Sequence, residues 1–172
     1  MTTKKKSFFR SALPAVLLTA AAGCAPAWAG PTNVPFNARL ATHETLSFDP
    51  NVCTAYPFLV GTTTGTGTAS NMGAVTLMAT DCITPNPPSF AFSNGKLTIT
   101  AANGDELRAS YSGTFLPLPN SIPFTLYTIS GTFTVTGGTG RFSNATGSGY
   151  LNGSENIVTR QGQLDATGTI SY

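Results

Sequence analysis

Charge is scarce in this 172-residue chain, where Asp, Glu, Lys and Arg together make up 9% of residues. The basic residues are also unevenly placed. Lys4, Lys5, Lys6 and Arg10 crowd the N-terminus, so from residue 30 onward five of the nine remain against seven acidic ones, and the formal charge of +2 falls to −2. A mildly acidic domain without a basic stripe cannot neutralise a row of phosphates, which excludes nucleic acid as a partner. There is one histidine, His43, and three cysteines. Two mature-domain cysteines and one distant histidine do not make a four-ligand metal site, and no residue pattern calls for a cofactor. No apolar run reaches the ~20 residues that a transmembrane helix needs. Helical periodicity is missing throughout, and solubility rests on Thr, Ser, Asn and Gly rather than on ions.

What is present begins with export. "MTTKKKSFFR" is a basic head, "SALPAVLLTAAAG" an apolar run, and Ala27-Trp28-Ala29 a small-x-small cleavage site, so residues 1–29 read as a signal peptide and 30–172 as one domain. A second processing route competes. "AAGC" at 21–24 resembles the lipid-attachment box of bacterial lipoproteins, with Ala21 where Leu is usual, and would anchor the protein to a membrane surface through Cys24. Either route takes the chain out of the cytoplasm, to the periplasm, the exterior or a membrane face. In such an oxidising setting Cys53 and Cys82 are expected to pair.

Period-two alternation interrupted by Gly, Pro and Asn-Gly dominates the mature chain. In "FNARLATHETLSF" Phe36, Ala38, Leu40, Thr42, Glu44, Leu46 and Phe48 share one face and His43 lies on the other. "TTTGTGTAS" reads as a strand, as do "AVTLMATDC", "GSGYLNG", "NIVTR" and "GQLDATGTISY"; "ITPNPPS" reads as a loop. Hairpin turns are expected at Asn94-Gly95 and Asn103-Gly104, where both central residues favour positive φ. The count is seven to ten strands in a single all-β domain, an antiparallel barrel or a sandwich.

Two motifs sharpen that choice. "TAANGDEL", followed about thirty residues later by "TVTGGTGRFSNATGSG", resembles bacterial exported proteins with an allene-oxide-cyclase-like barrel, a fold shared with plant dirigent proteins. The resemblance spans roughly residues 60–172 and implies an eight-stranded antiparallel β-barrel with an apolar lumen. It implies little about activity. Where many such proteins carry Thr/Ser-His-Leu-Gly, this chain reads Ser70-Asn71-Met72-Gly73, so any role of that histidine is lost.

The glycine-rich stretch is not a phosphate loop, because no Lys and no helical period follow Gly140. Gly137, Gly138 and Gly140 are read as positive-φ turn positions, with Phe142 plugging the barrel end beneath them. Pairing the strand from Glu106 to Phe115 with that from Phe124 to Thr136, Phe115 opposite Leu126, brings this segment to the Asn103-Gly104 end. Arg141 should then clasp Asp105, Glu106 or the carbonyls of that hairpin. "NAT" and "NGS" match the glycosylation pattern by accident.

No catalytic triad is present: His43 and Glu44 point to opposite faces of one strand. Glu44 is the leading candidate for a titratable group in an otherwise apolar lumen with at most two, and Tyr111 is a candidate lining residue. These features favour an exported barrel that binds an apolar small molecule or a partner surface without chemistry. The alternatives are an isomerase or cyclase working in the lumen, and a structural surface protein, either a pilin-like subunit or an outer-membrane barrel. Association into a homo-oligomer is open at this point.

Overall fold

The computed structural model describes residues 30–119 and 125–172, with Thr2 alone ahead of them. The expected signal segment, Cys24 and residues 120–124 of the prolyl loop lie outside the described residues. Eight strands run in chain order: β1 (Val34–Phe48), β2 (Leu59–Ala69), β3 (Gly73–Asn86), β4 (Ser89–Ala101), β5 (Glu106–Pro117), β6 (Leu126–Gly138), β7 (Thr146–Asn156) and β8 (Gln161–Ser171). Each pairs antiparallel with the next, and β8 returns to β1, so the ladder closes into a barrel. A single 3-10 turn, Gly140–Phe142, is the one helical element among the described residues.

The alternation explains the closure. Every second residue of each strand turns inward, and on β1 Phe36, Ala38, Leu40, Thr42 and Glu44 are buried in succession while Asn37, Arg39, Ala41 and His43 are exposed. The outer face is correspondingly rich in Thr and the inner one in Leu, Val, Phe and Ala, so burying one face of eight strands needs no second layer. Leu46 and Phe48 continue the β1 alternation, but both are exposed, because the strand overruns the barrel rim there.

Three turn assignments change. Asn94-Gly95 is not a hairpin turn; it is a bulge inside β4, with Asn94 at φ 54° and the register slipping between Phe92 and Gly95. Asn-Gly offers positive φ to a bulge as readily as to a turn. A Cβ at Gly95 would stand 2.6 Å from the Tyr111 ring, so the glycine makes room for that side chain. "ITPNPPS" is a loop only in part: Ile83, Thr84 and Pro85 continue the β3 ladder opposite Phe92, Ala91 and Phe90, and the turn into β4 lies at Asn86–Ser89. "NIVTR" is likewise no strand: Ile157–Arg160 is the β7–β8 turn, and the Asn156 side chain accepts from the Val158 and Thr159 amides at 3.0 and 3.1 Å. Asn103-Gly104 does turn the chain from β4 into β5.

The two barrel ends differ. At one end Phe36, Leu107, Phe142 and Ile170 are at most 1% exposed and fill the lumen, with Met72 closing over it from the β2–β3 turn. At the other end the β1–β2 connection folds back over the outside of β3. There the Cys53 and Cys82 sulfurs lie 2.01 Å apart, the distance of a disulfide bond, in a small buried cluster with Val60.

The glycine-rich segment closes the filled end. Phe115 pairs with Ile129 rather than Leu126, but Leu107 meets Gly138, which brings the segment beside the Asn103-Gly104 turn as expected. Arg141 pairs with Asp105 at 3.6 Å and sits 4.8 Å over the Phe142 ring. It also donates to a carbonyl, but that of Asn71 in the β2–β3 turn, not one of the Asn103-Gly104 hairpin. Glu106 is no part of this clasp, because Arg108, two residues along the same strand face, takes its carboxylate at 2.6 Å. Gly137 and Gly140 have φ of 121° and 55°, whereas Gly138 is absent from the positive-φ positions. Its reason is space: a side chain there would strike the Glu106 carbonyl.

Candidate functional site

The unfilled half of the barrel is a cup. It holds an inner chamber of about 40 Å³ and an outer cavity of about 150 Å³, which share Glu44, Phe115 and Glu155 in their walls. A water needs only ~10–15 Å³ on this measure, and an apolar cavity of ~150 Å³ accepts a benzene-sized molecule.

Three strands deliver acids to this cup. Glu44 on β1, Asp81 on β3 and Glu155 on β7 all obey the inward alternation of their strands, and each is 5–6% exposed. Tyr111 on β5 donates its hydroxyl to Asp81 Oδ2 at 2.7 Å, and its ring lies tilted against Phe92, which in turn packs edge-on against Phe115. Space for the acids is made on β2. A Cβ at Gly61 would fall 2.8 Å from both Asp81 Oδ1 and Glu44 Oε1, so this glycine leaves the width that two carboxylate oxygens need.

Burial in an apolar wall disfavours charge, and the acids also face one another. Glu44 is pushed from 4.5 to about 8, by burial first and then by Glu155 and Asp81, while Arg160 opposes the rise. These causes favour the protonated form of Glu44, and Glu155 is likewise raised by burial, with its contact to Glu44 and with Arg160 and His43 opposing the rise. Asp81 rises from 3.8 to about 6, again through burial, with the Tyr111 hydrogen bond restraining it. Burial beside Asp81 pushes the Tyr111 phenol upward, so it remains a donor. After these pairings Asp81 Oδ1 and Glu155 Oε1 are buried without any hydrogen-bond partner.

Arg160 is the cation at the mouth. It lines the outer cavity from the β7–β8 turn, in which it holds φ 59° and its carbonyl accepts from the Glu44 amide at 2.9 Å. Each group has a distinct capability: Glu44 can give a proton, Asp81 can take one, and the orphan oxygens can accept hydrogen bonds from an occupant.

The candidates read from the sequence are scattered. Glu44 and Tyr111 do meet in the cup. His43 is exposed on the outer face of β1, and Gly137, Gly138, Gly140, Arg141 and Phe142 belong to the closed end. Asp81 and Glu155 were missed, so the expectation of at most two titratable groups gives way to three carboxylates and a phenol. Their signal was available: Val75, Leu77, Ala79 and Asp81 alternate on β3, and Leu151 and Glu155 share parity on β7. Among the described residues, no group of three or more His, Cys, Asp or Glu is arranged to hold a metal ion, and no helix is long and apolar enough to cross a membrane. Compared with family models, curated proteins and solved structures, the chain matches none.

Proposed function

We propose that this chain is an exported binding protein that holds a small, largely apolar molecule in the open half of its barrel. The observation that carries the reading is the pair of orphaned acceptors, Asp81 Oδ1 and Glu155 Oε1, buried in the wall of a cavity that opens to the rim. Buried polar atoms normally have partners, and leaving one unpaired costs ~1–3 kcal/mol, so a site that carries two is built to be completed by an occupant. The sulfur pair of Cys53 and Cys82 and the N-terminal signal pattern support export, with cleavage after Ala29 or lipidation at Cys24 as the two routes. The allene-oxide-cyclase-like resemblance is in keeping with this reading, since it implies a barrel with an apolar lumen.

Other readings fit less well. A pilin-like subunit needs an open edge for a donor strand, and every strand here is paired on both sides. An outer-membrane barrel needs a continuous apolar outer band, while the outward positions here are mostly Thr and Ser with charged and amide side chains among them, and exposed apolar ones such as Met78, Leu116 and Tyr150 lie on different strands. A lumen isomerase keeps one specific support: Glu44 and Asp81 titrate apart, which provides an acid and a base in one apolar cup. Native mass spectrometry of protein purified without denaturation tests the binding reading. A retained small organic mass, lost in Thr63→Phe, which points a ring into the inner chamber, is the expected result. An empty protein that takes up nothing from a small-molecule extract overturns it.

A further inference from the structure

The imbalance of donors and acceptors in the cup says more about the occupant. Glu44, Asp81 and Glu155 bring six carboxylate oxygens to the same space, each residue only 5–6% exposed. The Tyr111 hydroxyl is committed to Asp81, and although the Thr42 and Thr63 hydroxyls also line the inner chamber, Asp81 Oδ1 and Glu155 Oε1 stay without a partner. Arg160 stands at the mouth, and His43 lies on the outward face of β1. The inner chamber has no lysine or arginine in its wall. A neutral hydrocarbon would leave both orphan oxygens unsatisfied, and an anion would add like charge. An ammonium group supplies several N–H donors and the compensating charge. Phe92, Phe115 and Tyr111 beside the acids give the π faces that attract an organic cation. Because the acids are not placed to ligate a metal ion, the cation is an organic one.

Resting on the cup as a binding site, we propose that its occupant is a compact organic cation, a protonated amine on an aromatic or apolar body, taken up in exchange for a proton of the acid cluster. When the ammonium enters, a carboxylic acid of the cluster loses its proton to solvent and the resulting carboxylate accepts the N–H, so total charge is conserved. The relevant groups are Glu44, Asp81, Glu155 and Tyr111 within the cup, Arg160 at its mouth and His43 outside. Acidification returns the proton and releases the amine.

Isothermal calorimetry with benzylamine, benzyl alcohol and benzoate tests this, at pH 6, 7 and 8 and in two buffers of different ionisation enthalpy. Benzylamine is expected to bind with affinity rising up to about tenfold per pH unit and with release of up to about one proton at pH 7. Benzyl alcohol should bind more weakly and without pH dependence, and benzoate least. Glu44→Gln should abolish proton release at pH 7, and Asp81→Asn should weaken benzylamine while sparing benzyl alcohol, with circular dichroism confirming that both variants fold. If benzyl alcohol or benzoate binds as well as benzylamine, the cation assignment falls and the binding reading stands. If none of the three binds, both fall.

Discussion

Raising the pH should unfold this protein from within, and the effect can be sized. A carboxylate whose folded-state pKa is raised binds its proton more tightly when folded, so its stabilising share is complete below the unfolded pKa. That share is lost as pH rises toward the folded value. For Glu44 the window runs from 4.5 to about 8, and for Asp81 from 3.8 to about 6. At 1.36 kcal/mol per pKa unit, these spans correspond to upper limits of about 5 and about 3 kcal/mol, reduced in practice by water entering the cup. Against a typical domain stability of ~5–15 kcal/mol this is a large fraction. Urea unfolding followed by circular dichroism, disulfide intact, should show stability falling steadily from pH 4.5 to 8.5. Glu44→Gln keeps an N–H to offer Glu155 but carries no charge at any pH. It should flatten the curve above pH 6.5 and exceed the parent in stability at pH 8. Stability that is constant or rising from pH 5 to 8.5, or a Glu44→Gln curve parallel to the parent's, would refute the argument that burial of this cluster is uncompensated.

Three further outcomes are expected. Gly61→Ala, normally benign in a strand, should destabilise by about 1–3 kcal/mol because its methyl meets two carboxylate oxygens at 2.8 Å, and Asp81→Ala should relieve part of that loss. At the closed end Phe142→Ala should cost about 3–5 kcal/mol. The half-exposed Arg141–Asp105 pair should show a double-mutant coupling of at most about 1 kcal/mol, and additive losses would mean no clasp. Denatured, unreduced protein should offer no reactive thiol at Cys53 or Cys82, and replacing both by Ala should remove about 3–4 kcal/mol for a loop of 29 residues.

Alternation made the all-β class legible, because a period of two tells which side of a strand is inside without any knowledge of its neighbours, whereas the barrel rather than a sandwich was what the two motifs' resemblance implied. Alternation placed Glu44 and Tyr111 inward for the same reason. Asp81 was legible as the continuation of Val75, Leu77 and Ala79, but it stands alone on its strand and nothing local marks it as part of a site. Glu155 escaped because it falls at the end of a glycine-rich strand whose inward positions carry almost no side chains. Asn94-Gly95 misled because local turn chemistry does not separate a bulge from a hairpin; that choice is made by the Tyr111 ring from the next strand. The partner of Arg141 was half readable. Register brought Asp105 near, but only tertiary packing brings the Asn71 carbonyl across from the β2–β3 turn.

Seven of the eight strand pairings join neighbours in the chain, and one does not. The β1–β8 seam brings together residues as far apart as Asn33 and Ser171, separated by 138 positions. Loop-closure entropy weighs against such a contact until the hairpins between have formed, so closure is expected late in folding. Until then β1 presents an open edge, the hazard that a finished barrel abolishes. The acid cluster straddles this seam, since Glu44 lies on β1 and Glu155 on β7 beside β8. Its two halves face one another across the correct distance only when the last strand is seated. Burial of Glu44 and Glu155 in one wall is thus a property of the closed chain alone, and the cup exists as a site only once the seam is sealed.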